Sequence, residues 1–383
     1  MPILALLIFI LILSILVMIH ELGHFLVAKK SGITVEEFGY GIPPKIFGKK
    51  IGGTIYSINL FPFGGFVRVQ GEDFSDPGQK TAGNFAFKPP YIRMLVLIAG
   101  IFMNVVFGSL LFFVVLASRN FVSAPLMTMG DENYHFPFGK QTKIETVITF
   151  VAEGSPAKTA GFDFGDYITG AGLINSNEAR ITSVSDLQTY VGSKGGQNII
   201  FEVKNMQTDK IQQITATPKY DDALQRSAIG VGLGSAFTLS YTAPLEKPVS
   251  GLLHGVNVTL YSMNILGQLI NTSVSKKSLG PVSEGFSGPV GIFGVVAGVI
   301  NAGGDSVVLT LMDITALLSF SLAFFNILPL PALDGGRVVF VLYEMVFKKR
   351  PNPRLESLSH SFGLAVLLLL MFLVTFKDIF KPF

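Results

Sequence analysis

Three residues in the stretch LVMIHELGHFLVAKK, namely His20, Glu21 and His24, have the types and spacing that metal-assisted hydrolysis needs. On a helix, positions four apart project from one face, so the two imidazoles can take adjacent places on one Zn²⁺. Glu21, one residue on from the first ligand, can reach a water beside the ion and accept its proton. The chain holds 5 His, so two of them in register around a Glu are not explained by abundance. A competing account makes them polar residues facing a helix bundle and paired with each other. Their setting weighs against it. From Ile3 to Ile19 there is no charge, and the run continues directly into His20, at a depth where ionisable groups are costly and need a reason.

Zinc catalysis requires three protein ligands and one open position. The chain has 0 Cys, which excludes disulfides and thiolate ligands and leaves His, Asp or Glu to hold a metal. In NILPLPALDGG, residues 326–336, Pro329 and Pro331 break a helical apolar segment and bring Asp334 to the same side as HELGH. Asp334 is therefore the expected third ligand. Taken alone, an Asp ahead of Gly335-Gly336 reads as a turn residue.

The elements that carry these groups belong in a membrane. Hydrophobic residues make up 49% of the chain and charged residues 14%, about half the charged fraction of an ordinary soluble domain. Besides the first segment, stretches at about 94–117, 307–331 and 361–376 are long and apolar enough to span. The stretch 251–270 is interrupted by His254, Asn257, Ser262 and Asn264, and is expected to lie on the membrane surface as an amphipathic helix, with a fifth span as the alternative. No basic residue precedes the first apolar run and no small-residue cleavage site separates it from HELGH, so it is expected to be retained. Lys29, Lys30, Lys45, Lys49, Lys50, Lys88 and Arg93 follow the first span, and Arg337, Lys348, Lys349, Arg350 and Arg354 follow the third, which predicts that both loops are cytoplasmic. The net charge of +3 is then a topology signal, and no clustered nucleic-acid footprint is present.

Between the second and third spans lies a soluble piece of about 120–247, expected on the opposite side from the basic loops. Its stretch VAEGSPAKTAGFDFGDYITGAG, residues 151–172, predicts a strand, a helix with Ser155 as N-cap and Pro156 at its first position, and another strand after Gly165-Asp166. A second helix is expected at about 183–194 and a strand at about 198–203. The run from Val151 to Ile168 resembles the signature of PDZ domains attached to bacterial proteases. Such domains bind an extended peptide by adding it as a strand beside a helix.

HExxH in a first span paired with N-x-x-P-x-P-x-L-D-G in a late one resembles the site-two protease family of intramembrane zinc metalloproteases. Both motifs are intact: His20, Glu21 and His24, then Asn326, Pro329, Pro331, Asp334 and Gly335. With the PDZ-like insert the resemblance covers nearly the whole chain, although familiar Gram-negative members carry two PDZ domains and this chain has room for one. It implies Zn²⁺ as cofactor, Asn326 bonded to the substrate backbone, and Pro329 and Pro331 beside it. It further implies a bacterial cytoplasmic (inner) membrane and single-span membrane protein substrates of the anti-sigma-factor or remnant-signal-peptide kind, shortened beforehand on their extracytoplasmic side. The segment 39–72 alternates along Tyr56, Ile58 and Leu60, and is expected to turn at Phe63-Gly64-Gly65 as a hairpin. In the family the matching segment is re-entrant near the zinc, where a free edge could hold an unwound substrate. Within 87–104, similar to the family's second span, Gly100 and Asn104 are expected to serve helix packing. SGPVGI, residues 287–292, matches a family loop to which no chemistry is assigned.

The expected fold is a multi-span α-helical membrane protein of about four transmembrane helices, with a re-entrant β-hairpin and one inserted extracytoplasmic α+β PDZ-like domain. Its expected segments are 1–28 for the first span, 29–90 for the β-loop, 91–118 for the second span and 119–247 for the PDZ-like domain. There follow 248–304 as a juxtamembrane amphipathic region, 305–334 as the third span, 335–359 as a cytoplasmic loop and 360–383 as the fourth span. The expected partners are membrane protein substrates, a peptide at the PDZ-like domain and membrane lipid, with no nucleic acid. A silent peptide-binding scaffold would need no metal triad, and a zinc transporter gains nothing from a Glu between the two His.

Overall fold

The computed structural model describes residues 2–72, 81–128, 133–163, 165–173, 179–181, 183–205, 210–222, 224–278, 280–285, 287–304 and 307–380. It divides into two compact units, one comprising residues 1–115, 254–303 and 307–383, the other residues 116–253 and 304–306.

The elements begin with helix α1 (Pro2–Lys30), strands β1 (Val35–Ile51) and β2 (Thr54–Val69), and helix α2 (Pro90–Ser118). The inserted unit holds β3 (Leu126–Met127), β4 (Lys140–Val151), α3 (Pro156–Ala160), β5 (Tyr167–Leu173), β6 (Ala179–Arg180), α4 (Val184–Ser193), β7 (Ile199–Lys204), β8 (Ile211–Ala216), β9 (Lys219–Asp221), β10 (Arg226–Ala228) and β11 (Val231–Ser240). The chain then runs through α5 (Ser250–Lys276), α6 (Gly280–Glu284), α7 (Pro289–Ala302), α8 (Val307–Ile327), α9 (Asp334–Phe347) and α10 (Pro353–Phe380).

Among the described residues, four helices are long and apolar enough to cross a membrane: α1, α2, α8 and α10. α1 packs Phe9, Ile12 and Leu16 against Val296 of α7 and Leu318 and Leu322 of α8. Phe112 of α2 stacks on Ala316 and Phe320 of α8. α10 leaves Leu368, Leu369, Leu370 and Met371 more than half exposed on all sides, a pattern that lipid tolerates and water does not. α5 is inverted relative to a helix floating on water: His254, Asn257 and Tyr261 are buried, whereas Leu252, Leu260, Met263 and Ile270 are exposed.

Three sequence expectations change. The hairpin turns at Gly52-Gly53, both at positive φ, and β2 then runs on through Phe63-Gly64-Gly65 to Val69. Residues 37–40 pair on one side with 55–58 and on the other with 65–68, so the two strands fold into a sheet with residues 65–69 along one margin. SGPVGI is no loop, because Gly288 caps α7 and Pro289 opens it, a position where the missing N–H costs nothing. The segment expected as a cytoplasmic loop after Asp334 is largely the helix α9.

In the inserted unit, the sheet order is β3-β11-β4-β5-β7-β8 with β6 beside β5. β7 buries Ile199, Phe201 and Val203 on one face, and they meet Ile168, Phe162, Leu187 and Val191 in a single core. Ser155 caps α3 by accepting from Lys158 N, and Ser183 with Asp186 closes a capping box on α4. Asp166 is buried, and although Asn205 donates to its Oδ1 at 2.7 Å, burial pushes its carboxyl up to about 6.

Candidate metal centre

α1 is unbroken through HELGH, so His20 and His24 sit one turn apart. Asp334 arrives from 314 residues away. α8 stops at Ile327, and residues 328–333 form a tight turn in which Leu330 N donates to Leu328 O at 2.7 Å and Ala332 takes φ 76°. Asp334 then opens α9. The glycines after it are not a turn signal but a close-packing one. A Cβ at Gly335 would lie 2.2 Å from Leu328 O, and one at Gly363 of α10 would lie 2.4 Å from Pro331 O. The turn is thus pressed between α9 and α10, which fixes where Asp334 starts.

The donor atoms converge. His20 Nε2 is 3.0 Å from Asp334 Oδ2, His24 Nε2 is 3.0 Å from His20 Nε2, and His24 Nε2 is 3.3 Å from Asp334 Oδ2. Ligands at about 2.0–2.1 Å around tetrahedral zinc are separated by about 3.3–3.4 Å, so these atoms form one face of such a tetrahedron with small adjustment. Among the described residues this is the one group of three metal-ligating side chains that meets so closely. The Asp334 carboxyl serves as a ligand only when ionised. Its position in the first turn of α9 favours the anion. The donor set of two imidazoles and one carboxylate fits a catalytic zinc with one position left open.

α2 supplies the surroundings. His24 Nδ1–H donates to Val96 O at 2.8 Å, which leaves the Nε2 lone pair for a metal. Gly100 faces the imidazoles, where an added Cβ would stand 2.4 Å from His24 Nε2 and 2.8 Å from His20 Nε2. Asn104 Nδ2 lies 3.3 Å from His20 Nδ1. Gly100 and Asn104 therefore face the candidate ligands, beyond the helix packing expected of them.

Two cavities flank the cluster. One of about 270 Å³ is lined by His20, Glu21, His24, Asp334, the margin residues Phe66, Val67 and Val69 of β2, and the polar groups Glu72, Arg337 and His360. The other, of about 260 Å³, is lined by Val17, Leu322, Asn104 and Asn326 together with His20, Glu21 and Asp334. Glu21 and Asn326 thus share a cavity with candidate ligands. Pro329 and Pro331 shape the turn and line neither cavity. Sequence reasoning missed Val96, whose carbonyl is invisible in a residue pattern. It also missed the ion pair of Arg337 with Glu72, although Arg337 stands one helical turn beyond Asp334.

A family model described as Peptidase family M50 matches residues 8–370. The chain belongs to peptidase family M50, the site-two zinc metalloproteases. It is similar to the zinc metalloprotease RasP of Geobacillus kaustophilus, with 30% identity across 98% of this chain and 97% of that one. RasP of Oceanobacillus iheyensis is 29% identical over 98% of both chains, and a Clostridium perfringens protein provisionally named as a zinc metalloprotease is 31% identical over 96% of both. A solved PDZ domain of an SdrC-like protein from Listeria monocytogenes matches locally, with 23% identity and a TM-score of 0.20, covering 24% of this chain and 87% of that domain. As a member of the family, the chain is an integral membrane protease whose ion is zinc.

Proposed function

We propose that this protease hydrolyses peptide bonds within or near the transmembrane segments of single-span membrane proteins. His20, His24 and Asp334 hold the zinc and Glu21 moves the protons. The observation that carries this reading is the convergence of Nε2, Nε2 and Oδ2 at 3.0–3.3 Å, with Glu21 lining both adjacent cavities. Bound there, the zinc supplies Lewis acidity that polarises a scissile carbonyl and acidifies a water. The Glu21 carboxylate takes the proton of the attacking water and later delivers it to the leaving amine. Asn326 donates to or accepts from the substrate backbone beside the ligands, and Pro329 and Pro331 keep that approach rigid.

A helical substrate hides its carbonyls in intrahelical bonds and must be unwound before attack. Residues 65–69 of β2 pair with β1 on one side and meet no third strand among the described residues, and Phe66, Val67 and Val69 of this stretch line the larger cavity. That margin can receive an extended substrate segment by strand addition. In the inserted unit a groove between α4 and the start of β11, lined by Leu187, Val191, Ile229, Val231 and Leu233, supports a PDZ reading in which an apolar peptide end docks. The proposed topology is that of a bacterial cytoplasmic membrane, the metal centre towards the basic cytoplasmic loops and the PDZ-like unit outside. There it would admit substrates already shortened by an earlier cleavage.

The test is cleavage of a short-ectodomain, single-span reporter by purified protein and by Glu21→Gln, with zinc measured on both. Cleavage in the membrane segment by the natural chain alone, with zinc retained in the variant, is expected. Cleavage by both would remove Glu21 from the chemistry, and no cleavage across a panel of reporters while both hold zinc would favour a structural or transport site.

A further inference from the structure

The mechanism above uses Asn104 for nothing, yet it is a completely buried polar residue in the middle of an apolar helix, which is costly unless it is satisfied. Its backbone is pinned, since Ser319 Oγ of α8 donates to Asn104 O at 2.8 Å. Its amide Nδ2 stands 3.3 Å from His20 Nδ1, and its Oδ1 is buried with no hydrogen-bond partner. Nitrogen and oxygen of a side-chain amide exchange places by a half-turn, so which of them faces His20 is settled by what His20 requires.

A neutral imidazole carries one proton. If Nδ2 donates to His20 Nδ1, the proton of His20 sits on Nε2, and Nε2 has no lone pair to give. Yet Nε2 is the atom that meets His24 and Asp334. Metal binding through Nε2 forces the proton to Nδ1, and Nδ1–H then needs an acceptor; the polar group beside it at 3.3 Å is the side-chain amide of Asn104. The amide oxygen of Asn104 is that acceptor. Asn104 leaves one polar atom unpartnered in either orientation, so its own hydrogen bonding is indifferent and the ion decides.

We propose that Asn104 is a positioning residue for the metal site. Its Oδ1 accepts from His20 Nδ1–H and holds that imidazole in the tautomer and rotation that present Nε2 to zinc. Val96 O performs the same service for His24 at 2.8 Å, and Val96, Gly100 and Asn104 follow one another at four-residue steps along one face of α2. That face is a template: a carbonyl for one imidazole, an amide for the other, and a bare Cα between them. The inference rests on the proposal that His20, His24 and Asp334 hold the ion.

The experiment is a zinc competition titration, against a chelator of known affinity, of the full-length detergent-purified chain and its Asn104→Leu, Asn104→Asp and His24→Ala variants. Leu matches the size of Asn without an acceptor, and Asp is an acceptor only. Asn104→Leu is expected to weaken zinc binding about 10- to 100-fold, as loss of an outer partner typically does, while Asn104→Asp stays within about threefold of the natural chain. If Asp weakens binding as much as Leu, the amide acts as donor or as filler and the proposal falls. If Leu binds zinc like the natural chain, it falls as well. Retention of zinc by His24→Ala would instead overturn the ligand assignment, and this inference with it. A readout independent of the variants' folding is the ¹⁵N spectrum of the zinc-loaded natural chain labelled at histidine, in which His20 should carry its proton on Nδ1. A His20 proton on Nε2 would refute the proposal.

Discussion

Gly100→Ala adds one methyl group at the point where α2 meets the two imidazoles. The new Cβ would stand 2.4 Å from His24 Nε2 and 2.8 Å from His20 Nε2 and Cε1, about 1 Å and 0.6 Å short of ordinary van der Waals contact at 3.4 Å. Retreat of α2 from α1 would open a close helix contact. On the same stretch Ala99 O lies so near Gly23 of α1 that a Cβ there would come within 2.3 Å of it, and Val96, Leu97 and Ile101 are buried alongside. The imidazoles must therefore move, by several times the roughly 0.2 Å that a zinc–nitrogen distance tolerates. Zinc affinity is expected to fall on the order of 100-fold, about 2.7 kcal/mol, with protease activity falling alongside it. Folding should not suffer, because Gly→Ala in a helix interior contributes about 0.5–1 kcal/mol in favour of the helix. The assay is chelator competition for zinc together with a thermal melt of the metal-free protein. Gly294→Ala in α7 serves as the control, because a Cβ there meets nothing within 4 Å. A Gly100→Ala protein that melts normally and binds zinc within twofold of the natural chain would refute the picture of α2 pressed against the ligands.

Two further outcomes follow from buried carboxylates elsewhere. Asp378 of α10 accepts from Gly288 N at 2.8 Å and Gly291 N at 3.0 Å, and so caps α7 from another helix; Asp378→Ala should cost about 1–2 kcal/mol and lower the melting temperature, whereas Asp378→Asn, which keeps an acceptor, should cost less. Asp166 has its folded-state pKa raised by burial from 3.8 to about 6, so the folded inserted unit holds that proton more tightly than the unfolded chain and loses stability as pH rises from about 4 through 6; Asp166→Asn should remove this slope in hydrogen exchange of residues 140–204, and an unchanged slope would contradict the burial argument.

The legible part of the candidate metal site was the local part. His20, Glu21 and His24 share one helix, and their relation follows from 3.6 residues per turn. Asp334 could be reached because Pro329 and Pro331 mark where an apolar helix must stop. Val96 could not, since a carbonyl has no side-chain signature and its use depends on which face of α2 turns inward. The same limit hid α7. Its 14 residues are strongly apolar but too short to span, so the stretch merged into the juxtamembrane region even though Pro289 stands where helices often begin. The hairpin was misplaced for a different reason. Gly52-Gly53 and Gly64-Gly65 are both plausible turns, and only the pairing of 37–40 with two partners at once distinguishes them.

The HExxH pattern alone does not make a metal site. On an isolated helix each imidazole turns about two side-chain torsions, either nitrogen can carry the proton, and freezing one such state opposes binding. Here part of that freezing is done by the packing around α1. Val96 O accepts from His24 Nδ1–H, the backbone of Gly100 lies close against both rings, and Asp334 is held by a turn clamped between two helices. All of these restraints come from α2, α9 and α10, none from α1. At the proposed site zinc affinity would therefore be a property of tertiary packing, and substitutions on α2 that leave HELGH intact should weaken metal binding as severely as loss of an outer partner does in other zinc enzymes.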